Sequence, residues 1–499
     1  MTRRVALEVN RVEGDLRVEL EIAHGRVRSA RSIGTMYRGF EQILLGRDPL
    51  DALAITPRIC GICSTTHLYA AVTAIESASG IVPAPAAVRI RNLCLMAETI
   101  QSDLRHACIY AAADFCDPHW ANLSEAGAAQ AAFAPLAGSA VRETIDYTTR
   151  ILKIVAHFGG QWPHSSFMVP GGVTIADCAR QLQSARAIHR EVSGWFERSV
   201  LGDSLAAFLA IDSLDTFVRW RDDAAREGAW LPLYDRLWVA AGLDDVGRSH
   251  PQLLTFGSLP ALATGDGEAP ANRLPAGVFD VGTGGRDRAE VERITEDVSH
   301  AWFFDPDGVA RHPANGITQP AWSQGGTAYS WAKAPRYDGL PAQTGPLALL
   351  ASAGDPLVGD MLKRRGDSAR VRAFARLRRS ALLLQEMTLE LDALQTEFVQ
   401  KGAPVLIRHG RVADDGVGVG LVDAARGALG HWLRISSGRI AGYQVITPTA
   451  WHASPRDRNG VCGPIERALE GLPYEEGKRP ILVEQVIRSF DPCLVCTVH

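Results

Sequence analysis

Hydrophobic and polar positions alternate from about residue 4 to 34, as in "LRVELEIAHGRVRSARSIG". A period of two belongs to strands with one buried face, and "HG" supplies a turn, so the segment predicts a small β-meander. From about 47 to 115 the period lengthens to that of helices. "AAVRIRNLCLMAETIQSDLRHACIYAAADF" places Ile90, Leu93, Ala97, Ile100, Leu104 and Cys108 at three- and four-residue steps, the stripe of one amphipathic helix of 30 residues. Further helices are predicted near 139–158, 175–201 and 354–400. Between 228 and 345 the chain is rich in Gly and Pro and least regular. Strands return over 404–450, with "HWLRISSGRIAGYQVITP" read as a hairpin about Ser437-Gly438, and "PILVEQVIRSFDPC" reads as a helix delivering the last cysteines.

The pattern predicts a mainly α protein with small β-sheets (α+β): a large helical-bundle core with β elements near both termini. No internal repeat, low-complexity linker or phosphate-binding glycine motif divides it. It is expected to be one unit over 1–499, with a β-meander region at 1–57, a helical body at 58–403 containing the irregular 228–345 segment, and a hairpin and cysteine-bearing tail at 404–499.

Composition narrows the function. The chain has 499 residues, 46% hydrophobic and 22% charged, with a net charge of −4; that balance argues against a nucleic-acid partner, which needs clustered cations. The basic run "KRRGDSARVRAFARLRR" has helical spacing and is interrupted by Asp367, so it reads as a solvated helix face or a partner surface. No apolar stretch reaches the ~18 residues of a membrane span. "MTRRVALEVNRVEGD" lacks the apolar core of a secretory signal. Nine cysteines, an odd and sparse set, fit a reducing cytoplasm with some of them on metal better than a disulfide scaffold.

Two Cys-x-x-Cys pairs stand more than 400 residues apart: Cys60 and Cys63 in "RICGICSTTH", Cys493 and Cys496 in "FDPCLVCTVH". Together they can complete a four-thiolate shell. A structural zinc satisfies the ligand count, but its cysteines usually come from one compact segment. A site closed by both chain ends suits a metal seated between packed halves. Arg58, His67, Asp491 and His499 flank the pairs. The other five cysteines are read as buried thiols: on one helix, Cys94 and Cys108 would lie about 21 Å apart and Cys108 and Cys116 about 12 Å. Electrons from any redox chemistry must then leave through another subunit.

The motifs "NRVEGDL", "GTMYRGFEQILLGRDPLDA", "RICGICSTTH", "HPANG", "YSWAKAPRYDG", "ARGALGHWLRI", "YQVITPTAWHASPRD" and "FDPCLVCTVH" resemble the large, catalytic subunit of nickel–iron hydrogenases. The resemblance implies a nickel–iron centre, its iron carrying one carbon monoxide and two cyanide ligands. Cys60 and Cys493 would be terminal nickel ligands, and Cys63 and Cys496 would bridge to iron. Cys493 would take the proton from heterolytic cleavage of H2 and pass it to Glu13. Arg426 would stand over the metals, oriented by Asp491, with His67 near the iron's ligands. Glu41, His499 and the backbone carbonyl of Val445 match a second metal site, usually magnesium, with iron as the alternative. Ile62 and Tyr110 match the narrowing of the gas channel, where bulky residues restrict oxygen. The implied partners are a small iron–sulfur subunit, in a heterodimer or higher assembly, a maturation chaperone and an endopeptidase. Ending on His499 fits a matured form, although some hydrogen-sensing members are made without an extension.

Departures from the membrane-bound uptake enzymes occur at Asp15, Ala425 and Ser102. Ser102 aligns with a canopy aspartate, and its neighbour Asp103 would need a one-residue shift to replace it. "RVEGDL", "MYRGFEQILL", "AARGALGHWLRI" and "CTVH" resemble the cytosolic uptake and hydrogen-sensing branch. The chain is expected to be a cytoplasmic, oxygen-tolerant uptake hydrogenase. The alternative is a hydrogen sensor signalling to a kinase-type partner, against which His67 stands where sensors tend to have glutamine. A quinone-module subunit of the same fold would have lost the four cysteines.

Overall fold

A computed structural model describes residues 3–175, 178–261, 272–401 and 405–499. Strands β1 (Arg3–Val9), β2 (Leu16–Ala23) and β3 (Arg26–Gly34) form an antiparallel meander in the order β1-β2-β3. Leu16, Val18, Leu20 and Ile22 point to its buried face, as the alternation requires. His24 and Gly25 both take positive φ, the geometry that lets a two-residue turn follow the strands' twist. The third strand is sewn to the far end of the chain, with Val27 N donating to Leu472 O (2.9 Å) and Ser32 N to the Glu466 carboxylate (2.9 Å).

The helical body contains α1 (Ser64–Ser79), α2 (Pro85–Arg105), α3 (Ser139–Gly159), α4 (Ala179–Trp195) and α5 (Ala369–Lys401). The predicted stripe on α2 is buried throughout, from Ile90 to Cys108. It does not lie on one straight helix of 30 residues. The α-helix ends at Arg105, and a π-helical turn at His106–Ala111 and a 3-10 segment at Ala112–Cys116 follow. The helix predicted near 175–201 starts at Ala179 and also closes in a π turn, at Phe196–Leu201; residues 176–177 of that prediction lie outside the described residues. The one predicted over 354–400 is two helices, Pro356–Arg365 and α5, parted at Gly366 by a backbone conformation (φ 61°, ψ −162°) open only to glycine.

The basic run corrects the sequence reading. Lys363 and Arg364 do face solvent, but Arg370, Arg372, Arg376, Arg378 and Arg379 are buried. The helix that carries them runs through the middle of the body, so each guanidinium finds acceptors inside. Arg370 forks onto Asp235 (2.8 Å twice), Arg378 onto Asp355 (2.8 Å), and Arg379 onto Asp103 (2.9 and 2.8 Å). Arg372 donates to Ser489 Oγ (2.9 Å) and lies 3.8 Å over the Phe490 ring. Planar, permanently charged forks suit such sites better than ammonium groups do.

Among the described residues the irregular segment holds one α-helix, Trp230–Ala240, two 3-10 turns and short strands; its residues 262–271 lie outside the described residues. The C-terminal sheet runs β4 (Gly416–Ala424), β5 (Gly427–Ser436) and β6 (Arg439–Ile446), and the predicted hairpin turns at Ser437-Gly438. Regular strand begins only at Gly416, not at 404, which itself is outside the described residues. Gly416, Gly418 and Gly420 share the face of β4 on which α1 lies. A Cβ at each would run into the carbonyl oxygens of Ala78, Ala74 and Ala70. The missing side chains let helix and strand backbones meet, and α1 begins beside Cys63. Helix α6 (Ile481–Ser489) packs against α5 and delivers the second cysteine pair.

Replacing Gly420 by Ala is expected to lower stability by about 1–3 kcal/mol, the usual cost of overfilling a packed contact. Thermal unfolding checks this, because α1 must retreat from β4 to make room.

Candidate metal centre

Each cysteine pair sits on a sharp connection before a helix. Cys63 occupies the position just ahead of α1, after the short turns Ala52–Ile55 and Thr56–Arg58. The second pair follows α6: Asp491 takes a positive φ (53°), which aspartate tolerates better than most residues, and Leu494–Thr497 forms a last helical turn. The two connections are joined by backbone. Leu494 N donates to Glu13 O (2.6 Å), Glu13 N to Pro492 O (3.3 Å), and Arg38 donates from one guanidinium to Ile59 O (2.6 Å) and Val495 O. Arg38 lies in a quoted motif, but its role was not legible because its acceptors are main-chain carbonyls.

The four sulfurs converge. Cys60 and Cys493 are 3.6 Å apart, Cys493 and Cys496 2.9 Å, and Cys60, Cys63 and Cys496 lie within 4.8 Å of one another, all buried. Thiol hydrogen bonds from Cys493, Cys496 and Cys63 hold Cys60 well below the ordinary thiol range, while burial pushes Cys493 and Cys496 up. Four buried thiolates need cationic charge among them, and soft transition metals supply it while keeping sulfur deprotonated. The donor set therefore fits a thiolate-bound metal centre. Arg426 sits in the two-residue turn between β4 and β5, and Gly427 (φ 121°) closes that turn. Its Nη1 donates to Cys63 Sγ (3.3 Å), its Nε to Asp491 O (3.0 Å), and its Nη2 pairs with Asp491 Oδ1 (3.1 Å).

The description "Nickel-dependent hydrogenase" belongs to the family model that matches residues 38–142 and 233–499. The chain belongs to the nickel-dependent hydrogenase family. It is 31% identical to the periplasmic [NiFeSe] hydrogenase large subunit of Desulfomicrobium baculatum, over 98% of this chain and 93% of that one. It is 30% identical to the uptake hydrogenase large subunit of Rhizobium leguminosarum bv. viciae, over 100% of this chain and 95% of the other. The solved structure of the H2-activated Dm. baculatum [NiFeSe]-hydrogenase superposes with a TM-score of 0.82 at 28% identity, over the whole of both chains. The chain is the catalytic large subunit of a nickel-dependent hydrogenase, with the mainly helical fold that its pattern predicts.

Around this hydrogenase centre the remaining sequence-predicted residues can be placed. Glu13 is half-buried against Cys493 through its backbone, and burial followed by the charge on Cys60 raises its carboxyl. His67, one turn into α1, is buried with Nδ1 3.1 Å from His431 Nε2, and His431 Nδ1 lies 2.8 Å from the Tyr443 hydroxyl. Burial lowers His67 to about 3, so its ring is neutral. Ile62 packs on the four sulfurs. Tyr110 lies in the π turn, edge-on to His106, and its phenol is raised by burial and then by the charge of Glu13.

Asp103, not Ser102, supplies the carboxylate beside the centre. It takes the Arg379 fork, and Arg376 Nη1 spans from Asp103 Oδ1 (3.6 Å) to Asp491 Oδ2 (3.3 Å). A π turn follows just downstream, at His106–Ala111. Buried paired charge thus continues from Arg379 through Asp103, Arg376 and Asp491 to Arg426. Of the five other cysteines, Cys94, Cys108, Cys178 and Cys462 are buried as expected, but Cys116 is only partly so and donates to Ala129 O (3.5 Å).

Glu41 and His499 do meet: His499 Nε2 is 3.3 Å from Glu41 Oε1, which also accepts from Val445 N (2.8 Å). The contact Val445 makes with Glu41 is thus through its N–H. Lys333, unassigned by sequence, pairs with Glu41 Oε2 (2.9 Å) and bonds Gln444 Oε1 (2.9 Å), with Glu296 3.7 Å away. Burial alone would raise Glu41, but the Lys333 ammonium and His499 outweigh it and hold the carboxyl low; Glu296 is raised to about 7 by burial. A cavity of about 10 Å³, lined by Glu41, Glu296, Lys333, Val445 and His499 among others, leaves room for one ion or water. Its carboxylate oxygens fit a hard cation.

Replacing Arg38 by Met removes both carbonyl bonds between the cysteine loops. Stability should drop by about 3–6 kcal/mol, two charge-assisted hydrogen bonds, and nickel per chain should fall. Thermal unfolding and metal analysis of the same preparation check both.

Proposed function

We propose that the protein is an uptake hydrogenase that cleaves H2 heterolytically, H2 = 2 H⁺ + 2 e⁻, and passes the electrons to a small iron–sulfur subunit. The observation that carries this reading is the Arg426 guanidinium held against the Cys63 sulfur by Asp491. Cys60, Cys63, Cys493 and Cys496 would hold a nickel–iron centre with carbonyl and cyanide ligands on iron. When bound, the centre supplies soft Lewis-acid sites that polarise H2 and accept its electron pair.

The chain's residues handle the proton. Arg426 places a fixed positive charge, in a site closed to water, where the departing proton and the thiolates must be balanced. Asp491 fixes its direction through two separate bonds, and Arg376 and Asp103 fix Asp491. Cys493 takes the first proton, and Glu13, hydrogen-bonded through its backbone to the residue after Cys493, takes it onward. A carboxyl raised by burial and by the negative charge on sulfur suits that task, because it binds a proton from a thiol readily and still releases it. His67 would stand by the iron's ligands, oriented by His431. Glu41 and His499, with Val445, would hold magnesium at the second site, with Glu296 and Lys333 balancing its charge. The cytoplasmic reading rests on the branch motifs alone: among the described residues no helix is long and apolar enough to cross a membrane, and one relative is named periplasmic.

Glu13→Gln should lower H2 oxidation about 10²–10⁴-fold, the worth of a positioned proton acceptor, with nickel content unchanged. An assay of H2-dependent dye reduction beside metal analysis decides it; near-normal turnover would remove Glu13 from the path. Ile62 and Tyr110 are proposed to narrow the gas route, so Ile62→Val with Tyr110→Leu should make H2 uptake more sensitive to oxygen. Unchanged inhibition would mean that both are packing residues only.

A further inference from the structure

Cys63 is the N-cap of α1, the position whose side chain ordinarily accepts from the backbone N–H of the second or third helical residue. Its sulfur accepts neither. Those residues are Thr65 and Thr66, and they donate instead to Glu98 on α2, at 2.8 Å to one carboxylate oxygen and 3.0 Å to the other. The Thr66 hydroxyl (2.8 Å) and Trp162 Nε1 (3.0 Å) complete the carboxylate. Glu98 is 1% exposed, so these four donors replace water entirely. The loop carrying Trp162 braces the cysteine turn on both sides: His164 N donates to Ser64 Oγ (3.3 Å), and His164 Nδ1 lies 2.9 Å from Pro57 O.

A helix cap supplied from another helix leaves the residue at the cap position free for other work. We propose that Glu98 is a positioning residue for the metal thiolates: it takes the N–H groups of Thr65 and Thr66 away from Cys63, so that the sulfur's lone pairs are kept for metal and for the Arg426 guanidinium. This rests on Cys63 being a metal ligand, as read above. Each N–H that bonds a ligating sulfur withdraws electron density from it, and such bonds tune thiolate-bound metals. Glu98 sets their number on Cys63 without touching it.

Two substitutions separate this from a role in folding. Glu98→Gln keeps one acceptor oxygen and turns an amide N–H₂ toward donors. Glu98→Asp keeps the charge but falls one methylene short. Either releases a backbone N–H to the sulfur, whereas Trp162→Phe removes one donor and leaves both N–H groups held. The holoenzyme of each is compared with the unsubstituted protein by infrared carbonyl stretch, nickel per chain and thermal midpoint. The carbonyl band is expected to move to higher wavenumber in both Glu98 variants and to stay in place in Trp162→Phe. A folded Glu98→Gln chain that has lost its nickel supports the same role. A lowered midpoint with an unmoved band overturns it, as does failure of both Glu98 variants to fold. If the unsubstituted protein holds nickel but shows no carbonyl band, the proposed centre is at fault; Glu98 is then judged by the nickel X-ray absorption edge, which should rise in both variants and would overturn the proposal by standing still.

Discussion

The contact between the chain's two ends is the constraint from which the rest follows. Cys60 and Cys63 leave one short turn and Cys493 and Cys496 another, and Glu13, Arg38 and the main chain around Pro492 and Val495 bind the turns together. None of these bonds is local in sequence. The sulfurs can converge only after the meander, the helical body and the C-terminal sheet have packed. Glycines on β4 bring α1 close enough to place Cys63, and α5 carries the arginines that seat Ser489, Phe490 and Asp491.

Charge is the second organising principle. The body buries a set of guanidinium and carboxylate groups that would be costly one at a time and are tolerable because each is paired and hydrogen-bonded. The line from Arg379 through Asp103, Arg376 and Asp491 ends at Arg426, beside the Cys63 sulfur. Glu98 takes up the backbone donors of the helical turn that follows Cys63. A second paired cluster, Glu41 with Lys333 and His499, ties the last residue of the sequence to the body.

Much of this could be read from the sequence, and for physical reasons. Alternation over β2 and the stripe on α2 are imposed by burial, so they are written in residue types. The four cysteines, Glu13 and Arg426 lie in motifs specific enough to resemble one family. What could not be read depends on backbone. A π turn such as His106–Ala111 leaves no compositional mark, and the partners of Asp103, Arg376 and Arg379, come from a helix more than 270 residues away in sequence. Arg38 serves carbonyl oxygens, and Glu98 serves N–H groups, neither of which has a sequence signature. The arginines of α5 were misread although a signal existed: at 3.6 residues per turn, positions 370, 372, 376, 378 and 379 are spread around the helix. A solvated face would have gathered them on one side.

A nickel–iron centre held by the four cysteines should show itself by its reaction with H2. The most direct measurement is an infrared spectrum of the purified protein, recorded under inert gas and then under H2. One metal-bound carbonyl band with two cyanide bands, all moving when H2 is admitted, is the predicted result. Protein with four-sulfur zinc and none of these bands would contradict it.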